Sequence, residues 1–241
     1  AWRSFRKLHD SCTNEEGYIK MEPMKIRNVL IIAMLCVGTQ AFGQFGLSAG
    51  ASVLRPFGAQ KTFVGGHLSG EYSLDDVQTY FGRVSIYPGI SDQIVNLGGI
   101  QEISTGSIYP IDFTTKTNYT IISGGARYYL GDGYETGLAA YGGSTLNVLF
   151  NSVKAQYEEF DETKFILSEG FTRKSNVFGF GAGLQGGVKY GIIGLGTVYM
   201  DLGVDYLFAL QASNQMANYS PYLSNILFQI NVGFRKDIGG F

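Results

Sequence analysis

The sequence has little of several features that define common protein classes. Only 2 of its 241 residues are cysteine, Cys12 and Cys36, and proline is also scarce, at 5 residues. Both cysteines precede the patterned part of the chain, which is therefore predicted to have neither a disulfide framework nor a cysteine-based metal site. The formal net charge of −2 comes without a basic stripe, which argues against a nucleic-acid partner. The apolar run Val29–Val37 is too short to cross a bilayer as a helix.

Glycine and aromatic residues, by contrast, are abundant. The chain contains 34 glycines, and 14% of its residues are aromatic. Glycine relieves crowding where strands bend, and aromatic side chains mark membrane interfaces, so this combination is typical of β-barrels. The length suits one large all-β domain or two small ones.

The clearest periodicity lies in Gly194–Phe208. Every second residue from Val198 to Phe208 is apolar, whereas the residues between are small or polar and include Asp201 and Asp205. A period of two belongs to a strand, whose successive side chains point to opposite faces. A strand with two carboxylates on one face and apolar residues on the other favours a transmembrane barrel, apolar towards lipid and polar towards the lumen.

The first 43 residues are predicted to lie outside the fold. Residues 1–23 are polar and aperiodic and are interpreted as an upstream extension. Residues 24–43 have the pattern of a signal peptide: Lys25 and Arg27, the apolar run Val29–Val37, and small residues at positions 41 and 43. Cys36 lies inside the apolar run after bulky Leu35, which disfavours a lipoprotein. We therefore expect an exported protein whose barrel occupies residues 44–241.

Eight alternating stretches follow, most of them longer than the ~9–11 residues that a tilted strand needs to cross a membrane. They are Phe45–Arg55, Thr62–Leu74, Gln78–Tyr87, Asn118–Leu130, Gly137–Phe150, Ser175–Tyr190, Gly194–Phe208 and Asn225–Arg235. The connections alternate between long and short, as in outer-membrane barrels with short periplasmic turns and long extracellular loops. The sequence thus predicts an all-β fold, an eight-stranded antiparallel up-and-down transmembrane β-barrel. Its termini are expected to be periplasmic and its loops extracellular.

The two strand faces can be assigned from the alternation. Residues predicted to face lipid are Leu47, Ala49, Ala51, Val53, Val64, Leu68, Tyr72, Phe178, Phe180, Ala182, Leu184, Phe228, Ile230, Val232 and Phe234, with Tyr80, Tyr128, Tyr190 and Phe208 in the interfacial girdles. The opposite face carries nearly every charge within a strand. Its members are His67, Ser69, Glu71, Arg83, Arg127, Gln185, Lys189, Asp201, Asp205, Gln229, Asn231 and Arg235.

Three segments carry a family resemblance: the strand end Arg127–Gly131, the glycine-rich strand after it, and the closing strand Phe228–Phe234 with terminal Phe241. In these the chain resembles the small eight-stranded outer-membrane barrels, the superfamily of the OmpA transmembrane domain, OmpX and the PorT-like proteins, and most of all its Bacteroidetes members. The resemblance implies an architecture rather than a chemistry. Its PorT-like branch is compatible with membership of a secretion complex.

An eight-stranded barrel is just wide enough for its own side chains, so the lumenal charges are predicted to form a plug. Glu71 is expected to pair with Arg83, Arg127 or both, because unpaired charges in such a space are costly. Lys189, Asp201 and Asp205 complete the set of ion-pair or gating candidates. His67, Ser69, Gln185, Gln229 and Asn231 are predicted as polar lumen residues.

The His67-x-Ser69-x-Glu71 row contains the residue types of a nucleophilic triad, and lipid A deacylase barrels use Ser and His two residues apart on a strand. Here, however, the row faces the lumen. In addition, Glu71 lies about 13 Å along the strand from His67 at ~3.3 Å per residue, too far to orient it. No catalytic residue is therefore assigned, and no cofactor or metal is expected.

Two loops offer binding candidates. The third loop has an acidic run, Glu158, Glu159, Asp161 and Glu162, which could bridge lipopolysaccharide through cations or simply be solvated. The fourth loop carries Tyr219 and Tyr222, a residue type that suits adaptable recognition. The second loop, Pro88–Thr117, is rich in apolar residues and either covers the barrel mouth or extends the strands beyond the membrane.

The sequence as a whole predicts an outer-membrane barrel with a closed lumen, which acts through its outer loops in structure, adhesion or partner binding. The alternatives are a narrow channel for ions or small solutes and, third, a lipid-modifying enzyme. Expected partners are outer-membrane lipid and lipopolysaccharide, and other envelope or secretion-complex proteins, but not nucleic acid.

Overall fold

A computed structural model describes residues 44–131, 133–134, 136–213 and 222–238. The predicted extension 1–23, the predicted signal peptide 24–43, Tyr219 and Phe241 lie outside these residues. Nine strands are present in the described part: β1 Phe45–Pro56, β2 Phe63–Ser73, β3 Gln78–Glu102, β4 Ile108–Gly131, β5 Gly137–Tyr157, β6 Phe165–Leu167, β7 Lys174–Ile192, β8 Gly196–Ala212 and β9 Ile226–Ile238.

Eight of these strands close into a ring. Each pairs antiparallel with the next in the order β1, β2, β3, β4, β5, β7, β8 and β9, and β9 returns to β1. Of the eight neighbouring pairs, six join consecutive strands. The other two are the closing pair β9–β1 and the pair β5–β7, whose strands are separated only by the short strand β6. The predicted fold class, an eight-stranded antiparallel up-and-down barrel, is confirmed.

In the described part of the chain, no helix is long and apolar enough to span a bilayer.

The exterior is apolar over a band of membrane thickness. On β7 the outward-facing residues between the aromatic side chains of Phe178 and Tyr190 are Phe180, Ala182, Leu184, Gly186 and Val188. The twelve steps from Phe178 to Tyr190 cover about 40 Å of strand. This corresponds to about 28 Å across the bilayer at a tilt of ~45°, close to the ~30 Å hydrocarbon core. The lipid-facing residues predicted above are exposed or half-exposed on this surface.

The strand lengths correct the sequence prediction at one end of the barrel. β3 was predicted to end at Tyr87 but continues to Glu102, and β4 begins at Ile108 rather than Asn118. Pro88 and Gly89 suggest a break, but the ladder accommodates them as a bulge between Tyr87 and Ile90. Of the two predictions for the second loop, extension of the strands is confirmed. β5 likewise continues to Tyr157, and β6 adds to the far end of β3.

The interior consists of three layers. Near the long loops, an apolar cluster closes the barrel; its members are Leu54, Ala59, Phe63, Tyr87, Tyr119, Ile121, Leu149, Leu207, Tyr222 and Leu227. Near the short turns lies an aromatic cluster of Tyr129, Tyr134, Ala139 and Tyr141. Buried polar and charged side chains fill the space between and against them.

Candidate functional site

Asp201 is the centre of the polar layer. Its side chain is 1% exposed and accepts hydrogen bonds from both terminal nitrogens of Arg83, at 2.6 Å and 3.2 Å. Arg127 Nη2 lies 3.2 Å from the same carboxylate, and Asn231 Nδ2 donates to it at 2.7 Å. The bidentate contact with Arg83 fixes the position and orientation of the Asp201 carboxylate. Because Arg127 donates to the same carboxylate, Asp201 holds both arginines in one arrangement.

Glu71 is the second anchor. Arg127 Nη1 lies 2.9 Å from its carboxylate, and Arg235 Nη1 lies 3.4 Å away. The hydroxyls of Thr79 and Tyr129 both donate to Glu71 Oε1 at 2.6 Å. The predicted pairing of Glu71 with an arginine is confirmed for Arg127, whereas Arg83 pairs with Asp201 instead. Arg127 therefore bridges the two carboxylates.

Formal charge balances within the lumen. The buried cations are Arg83, Arg127, Lys189 and Arg235, and the buried anions are Glu71, Asp201 and Asp205. Asp237, at 2.9 Å from Arg235 Nε, supplies a fourth negative charge. Rings also contribute, since the Arg127 guanidinium lies 4.2 Å from the centroid of Phe81 and that of Arg235 lies 3.8 Å from Tyr134. A balanced, ring-lined network suits a plug better than an ion-selective pathway, which would carry one sign of charge.

Asp205 lies further towards the loops and is held by neutral donors. Asn147 donates to it at 2.6 Å, Thr145 at 3.1 Å and Gln229 at 2.5 Å. Gln185 is buried beside this group, and its Nε2 has no hydrogen-bond partner in the part of the chain that the structure describes. The cavity among these side chains measures about 10 Å³. That is about the least space in which one water molecule fits.

Glycines on β7 make room for this packing. Gly183 is paired with Asp205, and a Cβ on Gly183 would lie 1.9 Å from the carboxylate. Gly187 is paired with Asp201, and a Cβ there would lie 2.6 Å from the Tyr141 ring, whose hydroxyl donates to Asp201 at 3.3 Å. Each lumenal aspartate of β8 therefore faces a position where only glycine fits.

The His67–Ser69–Glu71 row does not assemble as a triad. His67 Nδ1 lies 2.7 Å from the Ser52 hydroxyl, and Nε2 lies 2.6 Å from that of Tyr199. Ser69 instead pairs with Ser48. Ser52 also donates to Asn231 at 2.6 Å, which links this row to Asp201. The two ring nitrogens of His67 are thus engaged by residues other than Ser69.

Lys189, predicted as an ion-pair or gating candidate, lies at the short-turn end of the lumen. It is buried, and Nζ donates to the backbone carbonyl of Thr136 at 3.2 Å. The backbone carbonyl of Thr136 thus holds this charge next to the β4–β5 turn.

The loop candidates occupy separate places. In the acidic run, Glu162 pairs with Arg173, and Asp161 pairs with Lys164 at 3.5 Å. Hydrogen bonds from Thr163 hold the pKa of Asp161 below its usual value. Tyr222 turns inward: it is 1% exposed, packs edge-on against Phe63, and donates to Asp92 at 3.0 Å. It therefore fastens the fourth loop rather than presenting a free ring.

Sequence reasoning did not place several members of the network among the site candidates. They are Thr79, Tyr129, Tyr134, Tyr141, Tyr199 and Asp237. Tyr129 lies two residues after Arg127 on β4, so the alternation of the strand predicts that its side chain also points into the lumen. Tyr134 lies in a turn, where period two does not apply, and no such signal exists for it.

A second candidate site lies beyond the band at the long-loop end. We call it the platform: residues 88–117 of the β3–β4 hairpin, and residues 151–174 with β6. Phe113, Val153 and Ala155 form a buried cluster there, against which Ile94, Tyr157 and Phe171 pack. The ring of Phe113 lies 5.2 Å from that of Tyr157 and 6.3 Å from that of Phe171. The platform is therefore a packed extension of the barrel wall with its own small core.

Ring closure, an apolar band bounded by aromatic residues and a polar, filled lumen together define an eight-stranded barrel of the outer-membrane type. No protein-family model matches the chain, and no curated protein matches it. Solved structures of small outer-membrane barrels are similar to it at low sequence identity.

Three solved structures illustrate this similarity. Neisserial surface protein A is 14% identical, with a TM-score of 0.48, and the match covers 79% of this chain and 95% of that one. OprG of Pseudomonas aeruginosa is 13% identical, with a TM-score of 0.48 and coverage of 80% and 96%. A major outer membrane protein of Thermus thermophilus is 13% identical, with a TM-score of 0.48 and coverage of 82% and 100%.

Proposed function

We propose that this protein is an outer-membrane binding protein: the barrel anchors it, and the platform contacts a partner in the envelope or at the cell surface. The observation that carries the proposal is the continuation of β3, β4 and β5 past the aromatic residues as a packed sheet. β3 alone has 25 residues, more than twice the ~9–11 needed to cross the membrane. An anchor alone does not require this extension.

The orientation that the proposal requires places the platform outside the cell and both termini in the periplasm. The short links after β2, β4 and β7 and the long segments at the opposite end support it, because outer-membrane barrels have short periplasmic turns. Protease added to intact cells should cleave within the platform and leave the barrel protected. Cleavage only after the cells are permeabilised would overturn the orientation.

The lumen favours an anchor over a channel. It contains a balanced ion-pair network, an apolar layer towards the loops, and a cavity of only about 10 Å³ among the polar side chains. We expect no stepwise conductance from the purified protein in planar bilayers. Reproducible steps from the wild-type protein would replace this proposal with that of a narrow channel.

Partner binding is tested by purification in mild detergent from native membranes, followed by mass spectrometry of bound proteins. In the matched variant, residues 93–114 are replaced by the two-residue turn Asn-Gly, which joins Asp92 to its paired residue Thr115 and keeps the contacts of Asp92 with the other loops. We expect a stoichiometric companion with the wild type, and loss of that companion with the shortened variant. A companion that stays bound to the shortened variant would assign binding to the barrel wall instead.

The point variant Phe113→Ala separates the packing of the platform from the integrity of the barrel. Phe113 is 1% exposed at the centre of the platform core, whereas Ile108, near the hairpin tip, is 66% exposed. Phe113→Ala is expected to weaken companion binding, and Ile108→Ala is expected to leave the platform folded. Both should retain the gel shift on heating that marks a folded barrel.

A further inference from the structure

Three lysines lie side by side on the outer wall, just beyond the apolar band. Lys116 of β4 is paired with Lys154 of β5, and Lys154 is paired with Lys174 of β7. All three are exposed, whereas their strand neighbours Thr115 and Val153 are buried. The three side chains, which we call the lysine row, therefore project from the same face, with paired Cα atoms about 4.5–5.5 Å apart.

Such a row is unfavourable by itself, because like charges directly opposite each other destabilise a sheet. Neither Lys116 nor Lys154 forms an ion pair within the described residues. The next acidic residues along β4 and β5, Asp112 and Glu158, are four positions further out, about 13 Å along the strands. Lys116 and Lys154 are therefore expected to attract an anion from outside the chain.

The depth of the row indicates what kind of anion. Phe150 and Phe178 are ring neighbours, with centroids 5.5 Å apart, and end the apolar band on β5 and β7. Lys154 and Lys174 lie four residues further along these strands. At a tilt of ~45° this is about 9 Å beyond the aromatic rings, in the head-group region rather than the hydrocarbon core. Lipid phosphates occupy this level.

Between the aromatic rings and the lysine row lies a rank of neutral polar side chains. Asn118, Ser152 and Asn176 are paired in register across the same three strands. They line a groove of about 710 Å³ together with Phe150, Phe178, Gln211 and Ser213. Amides and hydroxyls both donate and accept, which suits sugar hydroxyl groups. The wall thus presents apolar, neutral polar and cationic levels in that order.

We propose that this wall binds a phosphorylated glycolipid of the outer leaflet. Its phosphates contact the lysine row, its sugar hydroxyls contact the rank of Asn118, Ser152 and Asn176, and its acyl chains lie along Phe150 and Phe178. The lysine row and Ser152 lie at the membrane end of the platform. This assignment therefore shares with the proposed function the orientation in the membrane and this part of the chain, but it does not involve the partner that the platform contacts.

The test measures lipid binding by native mass spectrometry of the protein in detergent. The probes are bisphosphorylated lipid A, the same lipid without phosphates, phosphatidylglycerol and inorganic phosphate. Wild-type protein should bind bisphosphorylated lipid A at least tenfold more tightly than the dephosphorylated form or phosphatidylglycerol. The variant Lys116→Gln/Lys154→Gln should bind it about 25-fold more weakly, at about fivefold per basic residue near a membrane surface.

The control variant Lys164→Gln/Lys236→Gln removes the same charge from two exposed lysines outside the row and should change the affinity less than twofold. An equal loss in both double variants would overturn the site. If phosphatidylglycerol binds as tightly as bisphosphorylated lipid A, the wall is a general surface for anionic lipids. If inorganic phosphate alone displaces the bound lipid A, the wall is a site for free anions. Either result overturns the glycolipid assignment. If the variant with the shortened platform loses the companion protein but still binds the lipid, the partner and the lipid bind at different sites.

Discussion

Arg83 on β3 reaches across the lumen to Asp201 on β8 and binds both carboxylate oxygens, at 2.6 Å and 3.2 Å. In the ring order, β3 and β8 are four strands apart in either direction, so the pair joins opposite walls. Arg127 then connects Asp201 to Glu71, at 3.2 Å and 2.9 Å. The polar layer thus ties the barrel together across its diameter, in addition to the backbone hydrogen bonds around its circumference.

Asp201→Asn should strongly destabilise the barrel, because it leaves Arg83 without its anionic partner and Arg127 with only one, Glu71. Breaking a buried pair in this way costs about 3–5 kcal/mol. Urea unfolding in lipid vesicles, followed by far-ultraviolet circular dichroism, measures the loss. Glu162→Gln breaks the exposed pair with Arg173 and should cost less than about 1 kcal/mol. Equal midpoints for the two variants would show that the network does not stabilise the fold.

Gly183→Ala should also destabilise the barrel, through overpacking. The added Cβ would lie 1.9 Å from the Asp205 carboxylate and 2.7 Å from the backbone oxygen of Val204. A cost of about 1–3 kcal/mol is expected from such a clash. At Gly82, on the outer face, a Cβ meets nothing within 4 Å, so Gly82→Ala serves as the control in the same unfolding assay. A neutral Gly183→Ala would mean that Asp205 can move away freely.

Asp92→Asn should release the fourth loop without unfolding the barrel. Asp92 accepts from Lys61 Nζ at 3.2 Å and from the Tyr222 hydroxyl at 3.0 Å. It so joins Lys61, in the β1–β2 loop of residues 57–62, and Tyr222 of the fourth loop to β3. Limited proteolysis should cut residues 209–225 faster in this variant, while the heat-dependent gel shift is unchanged. The control Asp161→Asn, in the exposed third loop, should leave the rate of cutting in the fourth loop at the wild-type value. Unchanged cutting in Asp92→Asn would show that the ring packing of Tyr222 holds the loop alone.

The same contact predicts a pH dependence on the alkaline side. The hydrogen bond that Lys61 donates to Asp92 raises the pKa of Lys61. Burial, and after it the hydrogen bond that Tyr222 donates to Asp92, raises the pKa of Tyr222. A raised pKa in the folded state means that the contact is fully present at neutral pH and is lost as the pH rises through the raised value. Protection of the fourth loop should therefore be constant from about pH 6 to 9 and fall only above about pH 10. The measurement is the rate of cleavage in the fourth loop, normalised at each pH to the rate for an unfolded peptide. A fall in protection already below about pH 9 would contradict the assignment.

The sequence allowed prediction of the parts of the fold that depend on alternation. Eight strands, their two faces and the burial of Glu71, Arg83, Arg127, Asp201 and Asp205 all follow from period two, and the structure agrees. Strand ends were predicted less well. Pro88 and Gly89 favour a turn when only local preferences are considered, but pairing with β4 on both sides of the bulge continues the strand to Glu102.

Partner choice within the lumen could not be predicted in the same way. Alternation places Arg83 and Glu71 on the inner face, but it does not indicate which cation meets which anion, because that depends on stagger and closure around the ring. The lysine row shows the same limit: residues 116, 154 and 174 are far apart in the chain, and only the register of β4, β5 and β7 brings them together.

The sequence by itself thus determined the class of fold and the direction of each side chain, because both follow from the local geometry of a strand. Tertiary structure alone decided that Arg83 meets Asp201 across the barrel, that Tyr134 folds back from a turn onto Arg235, and that β3 to β5 rise beyond the membrane band. These relationships depend on how eight strands are staggered when the sheet closes. Closure is a property of the whole ring and is not encoded in any single stretch of it.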